Sequence, residues 1–167
     1  MDITIRAARP EEYERLGALT AGTYLGDGLL FFGAEDPYLP VLADVAGRAA
    51  EAVVLVADDG AGRILGGVTF APGGTRWADI AGAGEAEFRM LVVAPEARGR
   101  GTGEALVRAC VERARALPGC TRVVLSTDPQ MAAAHRLYER MGFVRTPERD
   151  WSPIPDIVPL ITYALEL

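Results

Sequence analysis

Glu87-Phe88-Arg89-Met90-Leu91-Val92-Val93-Ala94-Pro95-Glu96-Ala97-Arg98-Gly99-Arg100-Gly101-Thr102-Gly103 reads as a strand, a stop and a glycine-rich turn that opens a helix. The apolar run stops at Ala94-Pro95, and from about Gly101 to Leu117 the residues Ala105, Leu106, Ala109, Cys110 and Leu117 keep helical spacing. Backbone N–H groups and the positive end of a helix dipole therefore converge on residues 98–103, an arrangement that binds phosphate oxygens. Glycine lets a backbone approach an anion closely and take positive φ, and Arg98 and Arg100 bring charge to its edge. Gly99, Gly101 and Gly103 are spaced G-x-G-x-G and fall late in the chain, so they do not make the G-x-G-x-x-G of a dinucleotide fold. On the glycines alone, an anion site and a plain tight turn into a helix stand level.

Outward from this unit, strands and helices alternate. Ile3, Ile5 and Ala7 mark a first strand, and Pro10-Glu11-Glu12 opens a helix to about Gly22. Residues 23–33 read as a glycine-rich aromatic loop, and Asp36-Pro37 caps and starts a second helix to about Glu51. Residues 52–57 and 63–70 form a hairpin, followed by a polar loop over 71–84. After Pro118-Gly119 come a strand over 122–126 and a helix over 131–141, with Ala134, Leu137, Tyr138 and Met141 on one face and Gly142 as its cap. Strands over 143–145 and 159–167 close the chain around a proline-containing loop at 151–155. The 167 residues, half of them apolar, suit one domain.

Composition removes several classes of chemistry. His135 is the only histidine, which argues against a zinc site of several imidazoles and against a Ser-His-Asp hydrolase, so no metal is expected. All seventeen basic residues are arginine, which excludes a Walker ATP site and Schiff-base catalysis. Cys110 and Cys120 read as small buried hydrophobes rather than a disulfide. No stretch approaches the roughly 18 apolar residues of a membrane helix, and the opening residues read as a strand rather than a signal peptide. A soluble, cytoplasmic protein with no membrane partner is expected. The net charge of −6 is uneven: residues 1–60 hold eleven acids against four arginines, which disfavours nucleic acid and favours a cationic ligand.

The neighbours of residues 98–103 separate the readings. Arg98, Gly101 and Gly103, directly after Met90-Leu91-Val92-Val93, match Arg/Gln-x-x-Gly-x-Gly/Ala. About 35 residues on, Ala134-His135-Arg136-Leu137-Tyr138-Glu139-Arg140-Met141-Gly142-Phe143 matches A-x-x-L-Y-x-x-x-G-F. On these two motifs and the order of elements, the chain resembles the GNAT superfamily of N-acetyltransferases. The resemblance implies an α/β (α+β) single domain over 1–167, with a mixed central sheet of about seven strands, a splayed fourth and fifth strand, and about four helices. It implies transfer of an acetyl group from acetyl-CoA to an amine, by direct attack in a ternary complex. Leu91, Val92 and Val93 would pair with the pantetheine arm, and Arg98, Gly99, Arg100, Gly101, Thr102 and Gly103 would hold the pyrophosphate. Thr127 would line the other wall of the cleft. Tyr138 would be the general acid that protonates the leaving thiolate, and Glu87 the general base, with Glu85 as the nearby alternative. As packing residues, Tyr138 would instead be a half-buried helix aromatic and Glu87 a solvated acid or a partner for Arg89. Gln130 and Met131 stand where many relatives place an asparagine against the cofactor arm.

By the same resemblance, residues 24–38, 73–84 and 151–155 would face the acceptor, and they carry Tyr24, Phe31, Phe32, Tyr38, Trp77 and Trp151. That aromatic surface suits a small apolar or cationic ligand, and a small primary amine is the expected acceptor. For each ring the alternative is packing in the core or in a homodimer interface. An antibiotic, a polyamine, an amino acid and a protein N-terminus all fit the sequence. A noncatalytic acyl-CoA-binding or regulatory module is the reading from another class, and the retention of Tyr138 and Glu87 counts against it.

Overall fold

The computed structural model describes residues 2–167. Strand β4 (Glu85–Val93) lies mid-sheet, antiparallel to β3 (Ile64–Pro72) and parallel to β5 (Arg122–Thr127). Beyond β3 lie β2 (Val53–Asp58) and β1 (Thr4–Ala7), both antiparallel. Beyond β5 lies β8 (Val158–Glu166), on which β6 (Val144–Arg145) and β7 (Trp151–Ile154) both pair. The eight-stranded mixed sheet and its flanking helices agree with the expected fold class.

Two elements exceed the sequence reading. Residues 151–155, read as a loop, mostly form β7; Pro153, which has no N–H to give, falls in the irregular stretch between its register pairs with β8. The single helix expected up to Glu51 is two, α2 (Tyr38–Ala43) and α3 (Val45–Glu51). Asp44 leaves helical geometry between them, and its carboxylate accepts the Gly47 N–H at 2.9 Å, which restarts the helix. Helix α1 (Tyr13–Gly26) also runs past Gly22, so Tyr24 is helical rather than in a loop.

Alternate residues of the sheet serve opposite faces. Along β2, Val54 and Val56 pack with Leu16 of α1 and Val45 of α3. Leu55 and Ala57 belong to the larger core, with Leu106 and Cys110 of α4 (Thr102–Ala116) and Tyr138 of α5 (Ala132–Arg140). Cys110 and Cys120 are free thiols, and burial pushes the Cys110 pKa up to about 12. At Gly17 a Cβ would collide with the Ala43 carbonyl, so glycine there lets α1 lie directly against the end of α2. Among the described residues no helix is long and apolar enough to cross a membrane.

The feature that makes a site is the parting of β4 and β5. Their parallel pairing consists of Glu85↔Arg122, Ala86↔Val123 and Glu87↔Val124. Past Glu87, β4 stays with β3 and β5 stays with β8. Between Arg89↔Thr69 and Val92↔Gly67, β4 carries one residue more than β3, and Met90 there takes φ 55. This is a β-bulge, which bends its strand and re-aims the residues beyond it. A non-glycine residue in that region costs about 1–3 kcal/mol, a strain that persists only where packing over-determines it. Met90 is buried against Leu42, Ala71 and Trp77, which supplies that packing.

Candidate active site

The space between the parted strands opens into a cavity of about 420 Å³, within the range of small-ligand sites. Glu87 and Leu91 of β4, Thr127 at the end of β5, Tyr138 of α5, Tyr38 of α2 and Trp151 of β7 all reach its wall. The chain thus brings together residues spread over its whole length.

Glu87 is fully buried, not solvated, and Arg89 acts on it only through its charge, its direct bonds going to Asp79, Tyr38 and the Trp77 carbonyl. Its Oε1 accepts the N–H groups of Ile80 at 2.8 Å and Ala81 at 3.0 Å, whereas Oε2 is buried and has no hydrogen-bond partner. Burial raises its pKa from the ordinary carboxylate value, and the two amides offset part of that rise. An unsatisfied buried carboxylate oxygen costs about 1–3 kcal/mol or more, so it calls for a role other than stability. Glu85 is the opposite case. Both of its oxygens are taken by Arg149, Arg122 and the Gly82 N–H, and chiefly the Arg149 bond holds its pKa down to about 2. A carboxylate so engaged is a poor base, which leaves Glu87 of the two.

One peptide unit links these acids. Arg149, bound to Glu85 at 2.8 Å through each of two nitrogens, also donates to the Ile80 carbonyl at 2.8 Å. The Ile80 carbonyl and the Ala81 N–H are the two ends of the same peptide group. The arginine thus holds the group that donates to Glu87.

Tyr138 is 3% exposed and packs edge-on to Phe88, with Phe143 and Tyr163 also within 6 Å of its ring. It is a core aromatic whose side chain also reaches the cavity. Burial raises the phenol's pKa, so it stays protonated at neutral pH.

At the other end of the gap, Gly99 and Gly101 have φ 78 and 82 and a Cβ on either would meet nothing, so the turn shows bare backbone to its surroundings. The first α4 bond runs from the Ala105 N–H to the Gly101 carbonyl, placing the amides of Thr102, Gly103 and Glu104 ahead of the helical ladder. The Thr102 hydroxyl is buried and has no partner. Both features fit an anion seated at this helix start. Arg98 instead reaches Asp27, just past α1, at 2.8 Å in an exposed ion pair of the kind worth about 0–1 kcal/mol. Arg100 is exposed. Leu91 lines the cavity, while Val92 is buried and Val93, half-buried, packs near Gly103.

The acceptor side differs from expectation in three ways. Trp77 is buried behind the wall, where its carbonyl accepts from Arg89, and the ring does not line the cavity. Phe32 is 49% exposed and outside the cavity, whereas Phe31, Tyr24, Tyr38 and Trp151 line it. The surplus of acids in residues 1–60 does not form the site either. Glu12 and Asp58 bind Arg6, Asp44 caps α3, and Asp36, the one that lines the cavity, accepts the N–H groups of Phe32 and Tyr38. Asp79, Asp128 and Met131 also line the cavity. No periodicity in the sequence marks Asp79, because it sits in a loop that only the fold brings to β4.

Comparison with known proteins agrees with this geometry. The acetyltransferase (GNAT) family model matches residues 23–143. An uncharacterised N-acetyltransferase of Schizosaccharomyces pombe is 36% identical over 106 residues, covering 64% of this chain and 60% of that protein. The mycothiol acetyltransferase of Beutenbergia cavernae is 37% identical over 89 residues, 53% of this chain and 27% of the relative, so the chain spans less than two thirds of either curated relative. The Salmonella typhimurium protein yncA, solved with its cofactor acetyl-CoA, superposes with a TM-score of 0.72 at 21% identity over 100% of this chain and 95% of its own. The PaiA N-acetyltransferase of Thermoplasma acidophilum, in complex with coenzyme A, gives 0.72 at 15% identity over the full length of both. With the bulged β4, the β4–β5 gap and the glycine turn into α4 all in place, the chain belongs to the acetyltransferase (GNAT) family.

Proposed function

We propose that the chain transfers an acetyl group from acetyl-CoA to a small amine by direct attack in a ternary complex, with Glu87 as general base and Tyr138 as general acid. The observation that carries this reading is the unpaired Oε2 of Glu87 in a cavity that Tyr138 also reaches, at the point where β4 and β5 part. The amides ahead of α4 and the orphaned Thr102 hydroxyl suit the pyrophosphate of CoA, and the backbone of Leu91, Val92 and Val93, beyond the last β4–β5 pair, suits its pantetheine arm. Thr127 lies across the gap from them. Acetyl-CoA supplies the activated acyl group. Glu87, its charge disfavoured by burial, takes a proton from the attacking amine, and Tyr138 gives one to the departing thiolate.

The test mixes purified protein and acetyl-CoA with a panel of amines and follows free thiol. CoA binding without amine-dependent release is the result expected of a noncatalytic module, and it would remove this reading. Tyr138→Phe is expected to lower kcat by about ten- to a hundredfold, since a thiolate is already a fair leaving group, with CoA affinity unchanged. An unchanged kcat would strip Tyr138 of its role.

Arg149 acts on Glu87 through the Ile80–Ala81 peptide, which makes it a positioning residue. Arg149→Met removes both a nearby positive charge and the hold on an amide that favours the ionised carboxylate, so the pKa of Glu87 should rise further. The acidic limb of kcat/KM against pH then moves to higher pH, while the rate on the alkaline plateau stays near wild type. A uniform loss at all pH values, with the limb unmoved, would make Arg149 merely structural.

A further inference from the structure

Positive charge gathers on one side of the glycine turn. Residues 98–140 hold eight arginines against four acids, in a chain whose net charge is −6. Two of these arginines, Arg136 and Arg140, stand one turn apart on the same face of α5, and both are exposed. That face lies beside the start of α4. The two helices follow the parallel strands β4 and β5 and run side by side, with Leu137 packed near Gly103 and Arg140 reaching Glu104 at 3.7 Å. Arg136, about 5 Å before Arg140 along the axis, is therefore level with the residues that lead into α4. Among the described residues it has neither a hydrogen bond nor an ion pair. Ala132 and Ala133, exposed in the first turn of α5, leave the surface beside it open. On the α1 side of the turn the balance is different, because Asp27 holds Arg98 at 2.8 Å.

We infer that Arg136, with Arg140 beside it, binds the phosphate on the ribose 3′ carbon of CoA, an inference that rests on residues 98–103 seating the pyrophosphate. The amides ahead of α4 and the Thr102 hydroxyl suit the pyrophosphate and leave the third phosphate of CoA to be accounted for. That group is a monoester, close to a dianion at neutral pH, and it is best met by cations. With the pantetheine arm in the gap, the nucleotide end leaves over the outside of the turn, toward α1 or toward α5. Toward α1 it meets the Asp27 carboxylate, which repels it and competes for Arg98. Toward α5 it meets Arg136 and Arg140. A guanidinium offers a phosphate two parallel N–H donors, and at an exposed position such a pair contributes about five- to tenfold in affinity.

The experiment titrates CoA and 3′-dephospho-CoA calorimetrically into the wild-type protein, Arg136→Gln and Arg115→Gln. The last removes the same charge from the far end of α4 and so measures the effect of net charge alone. The wild type is expected to bind CoA about tenfold more tightly than 3′-dephospho-CoA, a preference that shrinks as salt is added. Arg136→Gln should weaken CoA by about fivefold and leave 3′-dephospho-CoA unchanged, while Arg115→Gln keeps the wild-type preference. A wild type without preference overturns the site, as does an Arg136→Gln variant that keeps the preference or weakens both ligands alike. An equal loss in Arg115→Gln overturns it too, by reducing the effect to net charge. The readout is binding, so it stands whether or not any amine releases thiol. If neither ligand binds the wild type, the pyrophosphate seat at residues 98–103 falls together with the site; if both bind equally, the site alone falls.

Discussion

Glu87→Gln is expected to lower kcat/KM by about 10²- to 10³-fold at neutral pH, the range a lost general base typically gives, while CoA affinity and fold are retained. The substitution suits the site because the glutamine carbonyl can still accept the Ile80 and Ala81 amides that Oε1 accepts now, at 2.8 and 3.0 Å. What is lost is the unpaired basic oxygen. Stability should change in the opposite sense to activity. The folded-state pKa of Glu87 is raised by burial, so its contribution to stability is fully present below its unfolded pKa and is lost as pH rises through the folded value. Glutamine carries no such penalty. The melting temperature of the variant relative to wild type should therefore climb as pH rises from about 4 toward neutral. Activity near wild type, or a Tm difference that does not vary with pH, would show that the carboxylate is not the ionising base assigned to it.

Much of the scaffold of this site was legible in the sequence, for identifiable reasons. The β4–turn–α4 unit announces itself because an apolar run, Ala94-Pro95 and glycines at Gly99 and Gly101 each have a local conformational meaning. Gly99 and Gly101 do take positive φ, and α4 starts at Thr102 as the spacing predicts. Helix α5 was legible through the face that carries Leu137 and Tyr138. Three things were not legible. The break between α2 and α3 depends on Asp44 choosing the Gly47 amide, a competition that a continuous apolar pattern hides. Strand β7 contains a proline and exists because β8 offers it an edge. The state of Glu87 depends on residues distant in sequence, since the amides of Ile80 and Ala81 and the anchoring of their loop by Arg149 come together only in the fold. Spacing could nominate Glu85 and Glu87 together, but only their partners tell the paired acid from the unpaired one.

Arg48 gives the second large effect, on the cavity wall that α2 supplies. Its side chain is 1% exposed, and its guanidinium donates to the Thr69 hydroxyl at 3.0 Å and to the Val41 and Leu42 carbonyls at 2.8 and 3.0 Å. These carbonyls belong to the last turn of α2, where the backbone partial charge is negative and, of the two, the Val41 carbonyl also accepts the Asp44 N–H at 3.2 Å. Burial lowers the arginine's pKa, yet a guanidinium stays charged, so the cation is balanced by carbonyl dipoles. Arg48→Met removes charge-assisted bonds worth about 1.5–3 kcal/mol each and leaves Thr69 and Leu42 without this donor. Relief of the buried charge returns part of that loss. A net destabilisation of about 2–4 kcal/mol follows, or a fall in Tm of roughly 5–15 °C for a domain of this size. Because α2 carries Tyr38 and Val41 into the cavity, KM for the proposed amine acceptor should rise several-fold while KM for acetyl-CoA, proposed to bind at the α4 turn, stays nearly constant. Arg48→Lys keeps the charge but not the fork of donors, and should recover less than half of the lost stability. An unchanged Tm for Arg48→Met would mean that α2 is held by its apolar contacts alone. An equal rise in both KM values would mean that the whole gap, and not its acceptor wall, depends on this arginine.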